Sequence, residues 1–276
     1  MSDDGYIGGW LVDDEDQQFL ATLDDDSAVM GLVGSYSEVT IDPRDVLKVE
    51  NQRNQGACQG HSLTSACEWS YILQSGNKDL QLSRAMGYYE TQRIDGIRGD
   101  RGSTISGGVK LATTTGICEE RLWPYPGTYR NQRPMGWSEI TTNAAQYKIQ
   151  SSYRLKSYGA VRAFLGSGQG GISIGISWGS RMSKPVVESF RAGGGGHAVG
   201  LFSLSERKDS SGRPYVWMMN SWGATWGNRG WSEWAPKAVE QMFGHRFTVA
   251  IGLSDMPGAK PRDFDLDDWK NELKVC

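Results

Sequence analysis

The sequence predicts an α+β chain, helical in its first half and built of strands in its second. Behind Cys58 the apolar residues Leu63, Ala66, Cys67 and Tyr71 recur at the three- and four-residue spacing of a helix face, and Gly76 with Asn77 supplies a stop. Beyond residue 147 the character shifts to β-branched and aromatic runs separated by glycine. A length of 276 residues suits one large domain or two packed halves around a shared cleft.

Residues 1–40 read as an acidic N-terminal arm, in which Asp13-Asp14-Glu15-Asp16 and Asp24-Asp25-Asp26 alternate with Trp10, Leu11, Phe19, Leu20 and Leu23. Charge runs of this kind are mostly solvated faces. The interleaved apolar residues also fit an arm that packs on the main body or on a partner, or that lies across a cleft as a short plug. Val39 to Arg44 reads as an extended entry segment ending in a turn at Pro43. Residues 41–147 form the helical half. After the Cys58 helix, the spacing of Leu82, Ala85, Met86 and Tyr89 predicts a second helix over Leu80–Arg93. A glycine-rich connector, Asp95 to Ser103, leads to a third over Gly108–Thr115, and Pro124 and Pro126 halt further helix. Residues 148–254 form the β-rich half, with strands at Ser173–Trp178, His197–Leu204, Tyr215–Asn220 and Trp231–Trp234 and a helical exception at Val161–Leu165. Residues 255–276 read as a polar, acidic surface tail.

A formal net charge of −3 gives no basic footprint, which argues against nucleic acid and anionic membrane surfaces as partners. No apolar run is long enough to span a bilayer, and the first residues lack the basic leader and apolar core of a secretory signal, so the expected location is cytoplasmic or virion-associated. The four cysteines, Cys58, Cys67, Cys118 and Cys276, show no CxxC pairing and fit a reducing compartment. Cys58 and His61 share a helical face, but with three histidines in the chain and no second ligand pair nearby, neither a metal nor another cofactor is expected.

Cys58 stands where a helix begins, and there the unpaired backbone N–H groups and the positive end of the helix dipole favour thiolate over thiol. The plainer reading is a buried, inert cysteine. A cysteine nucleophile needs an imidazole partner, a group that orients the ring, and donors for the oxyanion. His197, in Gly196-His197-Ala198-Val199-Gly200-Leu201, could be the imidazole, although a histidine beside a strand is more often structural. Asn220 ends the next strand. Its amide can accept from one ring nitrogen and hold the other towards sulfur, while the adjacent Trp222 shields that bond from water. The plain reading of the same run is a tight, aromatic-rich turn.

The order Gln52, Cys58, His197, Asn220, together with Asn-Ser-Trp-Gly-x-x-Trp-Gly-x-x-Gly over residues 220–230, resembles the papain and cathepsin family of cysteine peptidases. The local surroundings of Cys58 are similar to the bacterial and viral (phage) branch, where an Asn-Gln-x-x-x-Gly-x-Cys-x-Gly pattern is frequent. In that register Gln52 is the oxyanion glutamine; sliding Gln55 onto it would put His61 in the nucleophile's place. Gly9-Trp10-Leu11 with Phe19, Ile41-Asp42-Pro43-Arg44 and Gly116-Ile117-Cys118-x-Glu120-x-x-Trp123-Pro124-Tyr125 extend the likeness over most of residues 10–254. The resemblance implies a papain-like fold, a helical left half and an antiparallel β-barrel-like right half with the active-site cleft between them. It also implies a cysteine endopeptidase acting on protein or peptide substrates, with Cys58, His197, Asn220 and Gln52 catalytic and Gly102, Ser103 and Trp222 contacting substrate. Asp100-Arg101-Gly102-Ser103 lacks the family's usual double glycine. Gln55 stands where secreted relatives have a disulfide cysteine, and Gly196 replaces a polar residue before the histidine, which would loosen the ring. Two rivals remain at this stage: a papain-like structural or interaction protein, for example a virion component with partners at its acidic termini, and an acyltransferase using the same thiol.

Overall fold

The computed structural model describes residues 9–11, 14–33, 38, 41–76, 78–179 and 182–254. In chain order these form β1 (Trp10–Leu11), α1 (Asp14–Ala21), α2 (Asp26–Val33), α3 (Cys58–Ser75), α4 (Arg84–Ile94), β2 (Ser103–Thr104), α5 (Ile105–Thr114), α6 (Trp137–Ala144), β3 (Ser151–Leu155), α7 (Tyr158–Gly166), β4 (Gly171–Trp178), β5 (Val186–Val187), β6 (Gly195–Lys208), β7 (Pro214–Met219), β8 (Trp231–Trp234), α8 (Pro236–Phe243) and β9 (Val249–Ser254), with short 3-10 turns at Pro43–Asp45 and Ala145–Tyr147. Seven strands join in the order β3-β9-β4-β6-β7-β8-β5, antiparallel except for β5 on β8, and β1 pairs in parallel with β2. The architecture is α+β, helices first and sheet second.

α3 holds the two halves together. Fifteen of its residues are buried, polar ones included, because α4 and α5 pack on one side and β4 and β6 on the other. A helix enclosed on all sides must satisfy its polar groups internally. Ser62 Oγ donates to the Val199 carbonyl (2.6 Å), Ser70 Oγ to the Leu253 carbonyl (2.6 Å), and Glu68 takes the Arg84 guanidinium, with Arg84 Nη2 at 2.7 Å from Oε2. One hydrophobic cluster gathers Leu63, Met86, Tyr89, Val109 and Ile117 on the helical side; a second gathers Ile172, Ile174, Ile176, Val216 and Trp234 beneath the sheet.

Side-chain caps set helix starts that periodicity misplaced by a few residues. Ser83 Oγ accepts from Met86 N, so α4 begins at Arg84 and not at Leu80, while Leu82 bridges to Glu119. Thr104 likewise starts α5 at Ile105, ahead of Gly108, and Ser157 starts α7 at Tyr158. β3, β9, α1, α2, α6 and α8 were not anticipated; the proline at the first position of α8 was the readable signal.

The second acidic run is part exposed and also bonds to the body, in line with an arm that packs there. Asp24 bridges to Tyr153, its carbonyl accepts from Arg154 N (2.7 Å), and Asp26 Oδ1 accepts from Lys156 N (2.6 Å), so the run clips onto β3. Leu20 and Val29 are buried, one in each cluster. The side chains of Asp13 to Asp16, together with Val39, Thr40, Asn77 and the tail 255–276 with Cys276, lie outside the described residues. Among the described residues no helix is long and apolar enough to cross a membrane, and no three potential metal ligands gather.

Candidate functional site

Cys58 is the first residue of α3. Its N-cap, Ala57, contributes no side-chain hydrogen bond, which leaves the first-turn amides directed at the sulfur end of the helix. Across from it runs β6, whose Ala198 N–H donates to Cys58 Sγ (3.4 Å). The residue before, His197, directs Nε2 at Asn220 Oδ1 (2.8 Å), so Nε2 carries the hydrogen and Nδ1 is the nitrogen able to take a proton. Trp222 stacks on the His197 ring (centroids 4.7 Å apart, 28° between planes) and Trp178 meets it edge-on, also at 4.7 Å.

Gln52 joins this group through Ser221. Ser221 Oγ donates to Gln52 Oε1 (2.6 Å), Gln52 N donates to the Ser221 carbonyl (2.7 Å), and Gln52 Nε2 donates to the Gln55 carbonyl (2.8 Å). Between Gln52 and Cys58 the backbone turns through Arg53 at φ 54°, a left-handed conformation unusual for a residue with a side chain. Gln55 lies apart from the thiol: its Nε2 donates to the Pro126 carbonyl (2.8 Å) and its Oε1 accepts from Tyr89 OH (2.7 Å). His61 also turns away. Its Nδ1 donates to the Ala57 carbonyl (3.0 Å) and its ring meets Tyr125 edge-on.

The loop with Gly102 and Ser103 closes the site from the helical side. Asp100 Oδ1 accepts from Gly56 N (2.8 Å) and Tyr88 OH (2.7 Å), and Gln92 Nε2 donates to the carbonyls of Gly99 and Gly102 (2.9 Å each). Ser103 Oγ donates to Gln59 Oε1 (2.8 Å), tying the loop to the residue after the thiol. Lying on this loop is the N-terminal segment of the same chain: the Gly9 carbonyl accepts from Ser103 N (2.9 Å), and Trp10 and Leu11 pair with Ser103 and Thr104. The approach demands glycine. A Cβ on Gly9 would stand 2.1 Å from the Gly56 carbonyl oxygen, and one on Gly102, at φ +90°, would stand 2.3 Å from that of Gly9.

Burial works against the expected thiolate. Cys58 and His197 are both fully buried. Burial pushes the Cys58 thiol up to about 11, against the opposing pull of amides from Ala198, Gly9, Gln59 and Cys58 itself. It also pulls His197 down to about 4, against the raising effect of Asn220. Burial thus works against the charged form at both residues, opposing the pull of the helix start on the thiol and of Asn220 on the ring. A Cβ on Gly196 would stand 2.6 Å from the Trp10 carbonyl oxygen, so its bareness admits the N-terminal segment.

Hydrogen bonds and ring contacts thus link Gln52 through Ser221 to Asn220, His197 and Trp222, and Cys58 to the residue after His197, while Ser103 is tied to the residue after Cys58 and Gly102 precedes it on the same loop. Sequence reasoning gave no part to Trp178, Ser221, Asp100 or Gln92. Ser221 stood inside a quoted motif and Trp178 at the end of an anticipated strand, but contacts between distant segments carry no local pattern. A thiol, an imidazole oriented by an amide, and backbone N–H groups at a helix start can together perform nucleophilic acyl transfer.

The family model described as papain family cysteine protease matches residues 38–246. Among curated relatives, Peptidase 1 of Psoroptes ovis is 27% identical over 198 residues, covering 67% of this chain and 56% of its own length. An uncharacterized peptidase C1-like protein of Acanthamoeba polyphaga mimivirus is 25% identical over 197 residues, covering 66% and 62%. The chain thus spans only part of the length of the curated relatives it matches. Among solved structures, xylellain, a cysteine protease from Xylella fastidiosa, superposes with a TM-score of 0.67 at 21% identity over 82% of this chain and 89% of that one. Procathepsin B S9 from Trypanosoma congolense superposes with a TM-score of 0.65 at 14% identity, over 91% and 87%.

Proposed function

We propose that this chain, which belongs to the papain family of cysteine proteases, is a latent cysteine endopeptidase of the family's bacterial or viral branch, acting on protein or peptide substrates. The observation that carries this reading is the connected run Gln52–Ser221, Asn220–His197 and Ala198–Cys58, which brings four candidate roles to one sulfur. In it, residues 41–147 supply the nucleophile and residues 148–254 the imidazole and its amide. The Xylella and mimivirus relatives support the branch.

In the working state the Cys58 thiolate attacks the scissile carbonyl carbon, and the oxyanion is held by the Gln52 amide and the Cys58 backbone N–H. His197, as imidazolium oriented by Asn220 under Trp222, gives its proton to the departing amine. Water then attacks the thioester with His197 as base, and collapse releases the acid and the thiol. Gly102 and Ser103 present the backbone groups that a substrate strand would pair with. In this form the Ser103 N–H is taken by the Gly9 carbonyl, while the Gly102 N–H and carbonyl are held by Tyr88 and Gln92, so we read the N-terminal segment as a plug that covers the thiol.

The test is labelling of the full chain with an epoxide active-site reagent, read by mass spectrometry, before and after Trp10→Ala. Slow labelling of the parent and fast, stoichiometric labelling of the variant at Cys58 support the latent enzyme. A thiol that stays inert near neutral pH in both favours the rival, a papain-like structural or interaction protein, to which the full burial of Cys58 and His197 lends its weight. Removing residues 1–35 is a poorer test of the plug, because it also strips the buried Leu20 and Val29 from the body.

A further inference from the structure

On the helical half, the loop ahead of α6 forms a groove that has no part in the Cys58 site. Pro124, Pro126 and Pro134 line it together with Trp123, and its volume is about 330 Å³. Met135 stands in the same groove, 98% exposed, the barest large apolar side chain among the described residues. The loop is held in this shape from below. The Pro126 carbonyl accepts from Gln55 Nε2 (2.8 Å), Arg130 N donates to Tyr89 OH (3.1 Å), and the Asn131 carbonyl accepts from Arg93 Nη2 (3.3 Å). An apolar surface kept open by such bonds marks a place for a partner.

The rim of the groove is positive. Arg133 lies over the Trp137 ring (4.2 Å) and shares the Glu90 carboxylate with Arg93, so two guanidiniums face one carboxylate. Arg130 is exposed and joins no ion pair among the described residues. Arg53 borders the Pro126 end, where a Cβ on Gly127 would stand 3.7 Å from its Nη1. A partner that fits must bring apolar side chains and carboxylates together.

The chain carries such a segment beyond β9. Residues 263–269 read Asp-Phe-Asp-Leu-Asp-Asp-Trp, carboxylates interleaved with Phe264, Leu266 and Trp269 and no cation among them. The groove is also within their reach. Ser254, at the end of β9, lies opposite Ser151, and its carbonyl accepts from Gln150 N (3.2 Å), so the segment sets out beside the chain that leaves α6. The eight-residue α6 runs from there back to the groove. Its length is about 12 Å, and the stretch from Ala144 to Gln150 adds at most about 20 Å. From Ser254 to Leu266 the extended chain covers about 40 Å.

We infer that this groove is the docking site of residues 263–269 of the same chain, their apolar side chains against the prolines and Met135 and their carboxylates on Arg53, Arg130 and Arg133. The dock holds whether or not the thiol cuts peptides.

The experiment pairs cysteines in the full chain. Met135→Cys with Leu266→Cys, oxidised by glutathione disulfide in dilute solution, should close an intrachain disulfide about tenfold faster than Ser211→Cys with Leu266→Cys, whose partner position is an exposed turn outside the groove. Peptide mapping by mass spectrometry identifies the bond and separates it from any made by Cys276. Arg130→Glu, at an exposed position where folding is not at stake, should slow closure at Met135→Cys about two- to fivefold, and molar salt should do the same. Adding Asp267→Arg to Arg130→Glu should restore part of the rate. Equal rates at the two partner positions, or a rate at Met135→Cys indifferent to both Arg130→Glu and salt, overturn the inference. Disulfides that form only between chains, at a rate rising with protein concentration, overturn it as well, since the occupant is then a second copy.

Discussion

Two histidines are buried in this part of the molecule, one in the strand that bonds the Cys58 sulfur and one in the helix that Cys58 begins, and they are held in opposite ways. His197, in β6, bonds to the side chain of Asn220 and lies between Trp178 and Trp222. His61, in α3, bonds to the carbonyl of Ala57 one turn back and meets Tyr125. Burial lowers both, His197 to about 4 and His61 to about 3, with the Arg84 charge a further cause at His61. Burial therefore does not tell the two apart. What differs is the partner: an amide held by a separate strand can keep a ring poised against the sulfur, whereas a bond to the helix's own backbone only fixes the ring inside its helix.

Substitutions at each ring should separate them most sharply. His197→Ala is expected to lower kcat/KM about 10²- to 10⁴-fold, and Cys58→Ala to abolish hydrolysis. His61→Phe should keep activity and lose about 1 kcal/mol of stability with its hydrogen bond, read by peptide turnover and urea unfolding. A large activity loss at His61 would erase the distinction. Gln52→Ala removes an oxyanion donor and should slow turnover about 10²- to 10³-fold. Asn220→Ala should cost about 10²-fold through misorientation of the ring, and, because the Asn220 bond raises the His197 pKa, NMR titration should find that ring titrating lower still.

The smallest effect is on the acid side of the stability profile. Both histidines titrate lower in the folded chain than the unfolded value of about 6.5, so the unfolded chain binds more protons. Their contribution is complete above that value and is lost as pH falls towards about 4 for His197 and about 3 for His61. Melting temperature should fall with acid over this window, and His61→Phe should flatten the slope by its share. If uncovering the site by Trp10→Ala raises the titration point of His197 and leaves that of His61 in place, the two settings differ as described.

Much of the fold was legible because it is written in local patterns. The apolar spacing behind Cys58 located α3, and Trp231–Trp234 read correctly as a strand from its aromatic residues. Asn220 to Gly230 singled out the second wall of the site and the register of Gln52. The state of the thiol was not legible. The helix start argues for thiolate, and burial by segments distant in the chain works against it. The role of Gly196 was lost for the same reason, since a glycine's neighbour in space leaves no mark on its neighbours in sequence. β3 and β9 escaped because each of their short runs gains its meaning only from pairing with the other.

In the proposed enzyme, the clip that Asp24 and Asp26 make on β3 and the residue after it would set the terms on which a substrate enters. Because the arm is pinned there, Trp10 is tethered near Ser103, and a tethered segment of this length acts at an effective concentration on the order of millimolar. In the proposed enzyme an outside peptide would compete with this resident segment, and its apparent KM would contain the equilibrium of the segment's release. Lys156, which bonds through its backbone to Asp26 and through its ammonium to Asp25 at 3.2 Å, becomes a remote control on apparent affinity. The ammonium pair is exposed and so is screened by salt, which makes ionic strength a dial on how long the site stays open.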